Sequence, residues 1–207
     1  VRSSAASDVY KRQLSKRVVV IGGCIGQRDG EKLTEKLPHV DVVFGTFNLA
    51  SMPKLIHDAI SQGGHQVEVL DEASSFPTDL PSERESRWSA WLPISIGCNN
   101  FCTYCIVPYV RGREKSRPLE DIVTDAKNLI KDGVKEITLL GQNVNSYGRD
   151  LYGQPEFAKL LYAIADTNIE RIRFATSHPK DLNDEVIKAF GELDNLMPAL
   201  HLPVQSG

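Results

Sequence analysis

Apolar residues along this chain fall into two series in which short β-branched runs alternate with longer stretches of helical spacing. The first series opens with Val18-Val-Val-Ile21, a continuous apolar run that predicts a buried strand ending at Gly22-Gly23. Residues 27–37 read as a helix that stops at Pro38, and residues 41–45 as a second strand. Residues 52–62 predict a helix with Pro53 in its first turn, where the missing N–H costs little, and with Gly63-Gly64 closing its end. Residues 66–70 complete a β-α-β-α-β order, which implies a parallel, doubly wound sheet. The turn Gly22-Gly-Cys-Ile-Gly26 is not a G-x-G-x-x-G fingerprint, so no dinucleotide site is expected there.

Residues 72–87 are rich in Ser, Pro and Glu and interrupt the pattern. They divide a first domain over 14–75 from a second over 88–207, with 76–87 as the linker. In the second series residues 90–96, 136–140, 171–175 and 200–204 predict strands, and 118–132, 156–165 and 182–190 predict helices. Strict alternation of this kind builds a parallel barrel or an open α/β sheet, and a polar segment follows every strand. The strands' C-terminal edge should therefore gather Cys98–Cys105, Gln142-Asn143, Ser177-His178 and Gln205-Ser206 around one opening.

Composition narrows the classes. Apolar residues make up 41% of the 207, enough for a core, and no apolar run approaches the roughly 18 residues that would span a bilayer. No signal peptide is visible, and four cysteines do not make a disulfide scaffold, so a cytoplasmic setting is expected. Residues 1–13 carry no apolar period, resemble translated adapter sequence and are read as a non-native leader. A net charge of −3 is unlike that of a nucleic-acid binder as a whole, although Arg111, Arg113, Lys115 and Arg117 form a basic run suited to an anion.

The chemistry is concentrated in Cys98, Cys102 and Cys105, spaced C-x-x-x-C-x-x-C with Tyr104 just before the last. Three thiolates hold three irons of a 4Fe–4S cluster and leave the fourth open to a small molecule. The alternatives are a structural zinc site, a Cys102–Cys105 redox dithiol and inert buried cysteines. Zinc usually takes paired C-x-x-C or Cys/His motifs, and a dithiol has no need of Cys98. The segment resembles the signature of radical S-adenosylmethionine (SAM) enzymes.

Further segments extend that resemblance. Cys98–Gly112, Ser116–Pro118, Leu140-Gly-Gln-Asn-Val-Asn145, Thr176-Ser-His-Pro179 and His201–Gly207 together resemble the methylthiotransferase family of radical SAM enzymes over nearly all of 17–207. The segment Gly141–Gly148 is most similar to the MiaB-type branch, which acts on tRNA. The branches acting on ribosomal protein S12 (RimO) and on threonylcarbamoyladenosine tRNA (MtaB) usually differ just after that glycine.

The resemblance implies an activity, tRNA-2-methylthio-N6-dimethylallyladenosine synthase: a methylthio group is installed on isopentenyl-adenosine beside the anticodon. It implies a radical 4Fe–4S cluster on Cys98, Cys102 and Cys105, SAM as cofactor, tRNA as substrate, and an electron donor such as flavodoxin or ferredoxin. Tyr104, Gln142, Asn143, Gln205 and Ser206 become candidate SAM contacts. Read from the residues alone, Tyr104 packs its loop, the amides form turns, His178 makes a structural hydrogen bond with a catalytic base as the alternative, and Glu31, Glu35 and Asp125 lie on solvated helix faces. Cys24 in Gly23-Cys-Ile-Gly-Gln27 matches one ligand of a second, auxiliary 4Fe–4S cluster whose other ligands lie upstream in the family. On its own, Cys24 reads as a small buried residue at a strand end. The fold class implied is α/β: a truncated doubly wound N-terminal domain followed by a truncated radical SAM partial (β/α) barrel. A competing reading from another class is a non-catalytic zinc or iron–sulfur module that binds RNA.

Overall fold

The structure is a computed structural model that describes residues 17–71, 84 and 86–203. The leader 1–13, most of the linker 76–87, and Gln205 and Ser206 lie outside the described residues. The chain divides into two compact units, one within Val1–Leu80 that takes in Tyr109–Arg111, the other within Pro81–Pro108 and Gly112–Gly207.

In the first unit β1 (Val20–Ile21), β2 (Val42–Phe44) and β3 (Gln66–Glu68) form a parallel sheet in that order. Alternation along β2 sends Val43 to one face and Val42 and Phe44 to the other. Val43 packs with Leu33 and Val40, and Val42 and Phe44 pack with Leu55, so helices cover both faces as in a doubly wound sheet. The helix expected over 27–37 is two short helices, α1 (Cys24–Asp29) and α2 (Lys32–Lys36). They break at Gly30, whose φ of +49° leaves the helical region. α3 (Met52–Gln62) matches its sequence signals, with Pro in the first turn and Gly63 capping the end at φ +70°.

The second unit is built on a parallel sheet of β4 (Ser89–Pro93), β7 (Glu136–Leu140) and β8 (Arg171–Phe174). Alternate residues Ala90, Leu92, Ile137, Leu139, Ile172 and Phe174 are buried in its core. Three helices bring apolar stripes to that core: α5 (Leu119–Lys131) through Ile122 and Ala126, α7 (Phe157–Ala165) through Phe157, Leu160, Leu161 and Ile164, and α8 (Asp184–Glu192) through Val186 and Ala189. Phe157 meets Phe174 edge to face at 5.0 Å.

Two strand expectations change. The strand over 90–96 is two pieces. After Pro93 the chain leaves the parallel ladder, and β5 (Ser95–Ile96) pairs antiparallel with β6 (Lys115–Ser116). Pro93 has no N–H to give a ladder and is tolerated on this edge strand. The strand expected over 200–204 is absent over the described residues 200–203. Leu196, 3% exposed, bridges Ile172 instead and takes the place beside β8, followed by Pro198, which has no N–H to extend the pairing. Short helices α4 (Val107–Val110) and α6 (Arg149–Tyr152) were not signalled by periodicity.

Candidate active site

The cysteine loop leaves the second sheet through the β5–β6 ladder, which ties its two ends together. Cys98 N–H donates to Gly112 O at 3.1 Å and closes the base. Gly97 has φ +73°, and a Cβ there would stand 2.1 Å from Arg113 O, so this crossing requires glycine twice over. The segment after β7 clamps the base from the side. Tyr147, fully buried, donates its hydroxyl to Arg117 O at 2.8 Å, Gly148 N–H donates to Ser116 Oγ, and Ser116 N–H donates to Asp150 Oδ2.

All three loop cysteines are free and half-buried. Cys102 and Cys105 lie on one turn, with Cys105 N–H donating to Cys102 O at 2.9 Å, and Cys98 Sγ accepts from Asn100 N–H at 3.4 Å. Burial raises the Cys98 thiol above its ordinary pKa; Asn100 N–H opposes this, while Glu114 and the other two thiols add to it. Among the described residues no group of three or more His, Cys, Asp or Glu side chains is drawn up as a single metal ion requires. A cubane takes its thiolates on three different irons, so its ligands stand farther apart than those of one ion. Three free thiols on one short, clamped loop suit that donor set.

The loops after β7 and β8 meet the cysteine loop around Asp181. Its carboxylate is 6% exposed and accepts from Asn143 Nδ2 at 2.6 Å, Arg149 Nη2 at 3.0 Å and Asn100 Nδ2 at 3.4 Å. Burial opposes its ionisation, but the hydrogen bonds from Asn143 and Arg149 prevail and hold its carboxyl below the usual range. Glu114, also 6% exposed, behaves oppositely. Burial raises its carboxyl, against the hydrogen bond from Ser146 Oγ at 2.7 Å. Cys102 Sγ and His178 Nε2 lie 3.8 Å apart.

Four buried polar atoms at this edge have no partner among the described residues: Ser95 Oγ after β4, Asn143 Oδ1 and Asn145 Nδ2 after β7, and Ser177 Oγ after β8. Buried polar groups are almost always hydrogen-bonded, so four orphans at the C-terminal ends of adjacent parallel strands mark where a polar ligand fits. Thr176, β-branched yet at φ +67°, adds backbone strain at the same edge.

The structure thus brings together Cys98, Cys102, Cys105, Asn143 and His178. Gln142 is half-buried beside them in sequence, and Tyr104 is 71% exposed instead of packed into its loop. Sequence reading missed Asp181, Asn145, Asn100, Glu114 and Ser95, because nothing local distinguishes them from ordinary turn residues. The basic run is dispersed. Arg117 is buried and pairs at 2.6 Å with Asp125, whose side chain stays 44% exposed on the helix face expected for it, and Arg113 stacks over Phe101 at 4.4 Å. In the first unit Arg111 Nε donates to Cys24 Sγ at 3.4 Å, and Gln27 bridges Thr46 N and Leu70 O. A depression of about 540 Å³, lined by Asp166, Glu170, Glu192 and Asp194 among others, lies at the opposite, N-terminal end of β8.

Comparison with known proteins agrees with this geometry. The chain is 48% identical over 190 residues to a tRNA-2-methylthio-N(6)-dimethylallyladenosine synthase of Streptomyces avermitilis, covering 91% of this chain and 37% of that protein. It is 50% identical over 193 residues to the synthase of the same name from Thermoanaerobacter sp. (strain X514), covering 92% and 41%. The chain spans about two fifths of the length of these curated relatives. A solved structure with the same fold is the radical SAM methyltransferase TsrM from Kitasatospora setae with tryptophan and a SAM analogue bound, at TM-score 0.55 and 16% identity, covering 89% of this chain and 41% of that one. Residues 92–207 match the Radical SAM superfamily, which works with a 4Fe–4S cluster and SAM, and the chain belongs to that superfamily.

Proposed function

We propose that the protein is a tRNA-2-methylthio-N6-dimethylallyladenosine synthase, in which residues 88–207 form the radical SAM domain and 14–75 part of the methylthiotransferase N-terminal domain. The observation that carries this reading is the near-50% identity to synthases of that name, which runs through both units. The strand-end edge supports it chemically, because it supplies thiols for a cluster and unpaired polar atoms for a cofactor side by side.

Cys98, Cys102 and Cys105 hold the radical cluster in this reading. Cluster and SAM together, when bound, supply a one-electron reduction and a radical that abstracts hydrogen. The chain's own residues bind and orient. Asp181 turns the Asn143 amide so that its Nδ2 points inward and Oδ1 is left to accept from a ligand. Gln142, Gln205 and Ser206 add polar contacts to SAM, and Tyr104 offers an exposed ring for adenine. Cys24 is one ligand of the auxiliary cluster in the full-length protein. The enzyme acts in the cytoplasm with a flavodoxin- or ferredoxin-type donor; no helix among the described residues is long and apolar enough to cross a membrane.

The test is anaerobic reconstitution with iron and sulfide, followed by detection of 5′-deoxyadenosine from SAM under reductant. The full-length protein is then supplied with tRNA carrying isopentenyl-adenosine, and the nucleoside is weighed. SAM cleavage with a methylthio gain supports the reading. Cleavage without the gain assigns another substrate. Tight zinc with no iron uptake promotes the RNA-binding module.

A further inference from the structure

His178 is held at three points, and together they decide which way its proton faces. Its backbone N–H donates to Asn145 Oδ1 at 3.1 Å, and Pro179 follows it into a 3₁₀ turn over Pro179–Asp181. Its Nδ1 accepts from the backbone N–H of Lys180 at 3.2 Å. A backbone amide can only donate, so Nδ1 carries no hydrogen and the ring's N–H is on Nε2. Nε2 lies 3.8 Å from Cys102 Sγ. The ring is thus aimed as a donor, from the loop after β8, at the middle cysteine of the loop.

We propose that His178 is a positioning residue that donates an Nε2–H···Sγ hydrogen bond to the cluster ligand Cys102 and raises the cluster's reduction potential. The inference rests on the reading that Cys98, Cys102 and Cys105 hold a 4Fe–4S cluster. A donor to a ligand sulfur withdraws electron density and favours the more negative, reduced cluster, one of the protein's main controls over such potentials. Cys98 has its own donor, Asn100 N–H, so the two thiolates are tuned from different parts of the chain: one by the loop's own backbone, the other by a side chain from another strand end.

The experiment is an EPR-monitored redox titration of the anaerobically reconstituted chain, wild type against His178→Phe and His178→Gln, with iron counted in each. Phe keeps the ring's shape without the donor, and Gln keeps an N–H. The expected result is a midpoint shifted to lower potential in His178→Phe at unchanged iron content, with His178→Gln close to wild type. An unshifted Phe variant, or a Gln variant shifted as far as Phe, overturns the proposal. Wild type taking up no iron would instead sink the cluster reading, and this inference with it. Should His178→Phe fail to hold iron, ¹⁵N-histidine spectra of the cluster-free wild type decide: a protonated Nε2 upholds the donor, and a bare Nε2 overturns it.

Discussion

Each sheet delivers a cysteine by the same local device, yet the two turns differ in what stands behind them. Gly23, at φ +79°, follows β1 and precedes Cys24; Gly97, at φ +73°, follows β5 and precedes Cys98. A Cβ on Gly23 would meet nothing within 4 Å, whereas one on Gly97 would run into the carbonyl of Arg113. Cys24 sits in a unit whose apolar residues form two small clusters, one on each face of the sheet. Cys98 sits in a unit with one continuous core from Ala90 to Leu196. A glycine turn after a strand is therefore enough to present a thiol, but a multi-cysteine site also needs a clamped loop base and a rigid sheet beneath it.

The sharpest way to break the comparison is through iron. Replacing any one of Cys98, Cys102 or Cys105 by Ser should take reconstituted iron from about four per chain to near zero, while Cys24→Ser should leave it unchanged. Equal loss from Cys24→Ser would mean that the two turns share one site. Packing should separate the units next. Leu161, 0% exposed in the large core, should cost about 2–5 kcal/mol as Leu161→Ala, and Leu55→Ala in its small cluster should fall at or below the low end. Urea unfolding, followed by probes in each unit, reads both.

The glycine turns themselves come third. Gly23, at φ +79° and ψ −147°, occupies backbone space that is nearly exclusive to glycine, so Gly23→Ala should cost about 1–3 kcal/mol of backbone strain with no steric clash added. Gly97→Ala should cost more, since the backbone of Arg113 must also move, and Cys98 should become more reactive to alkylation as the loop base opens. Similar costs at the two positions would mean that the Arg113 carbonyl yields without cost and that the two turns are equivalent.

The smallest effect is in pH dependence. The raised carboxyl of Glu114 contributes stability that is full below its unfolded pKa and lost as pH rises through its higher folded value. Asp181, held low, contributes stability that is present above its unfolded pKa and lost as pH falls through its folded value. Glu114→Gln should flatten the stability curve on the side above the ordinary glutamate range, and Asp181→Asn on the acid side below the ordinary aspartate range. Denaturant midpoints measured across pH would expose either assignment if the flattening appeared on the wrong side.

Much of this was legible before the fold was known. Apolar periodicity located α3, α5, α7 and α8 and the parallel strands, because burial of one face leaves its period in the sequence whatever the partner. The α1–α2 break was harder to read, since Gly30 within a helical pattern is tolerated in many helices and breaks others. The strand expected over 200–204 failed because apolar content alone does not say which residues reach the neighbouring strand. Leu196 did, whereas Leu200 is 40% exposed.

Chemistry divided along the same line. The spacing of Cys98, Cys102 and Cys105 was decided by the sequence, because ligands on one loop are local and spacing is their geometry. The partners of those ligands were decided only by tertiary structure. Asp181, gathering Asn100, Asn143 and Arg149, and His178, aimed at Cys102, both lie in the loop after β8, whereas the residues they meet follow β5 and β7. Nothing in a linear chain records which strand ends lie side by side; the register of the parallel sheet does.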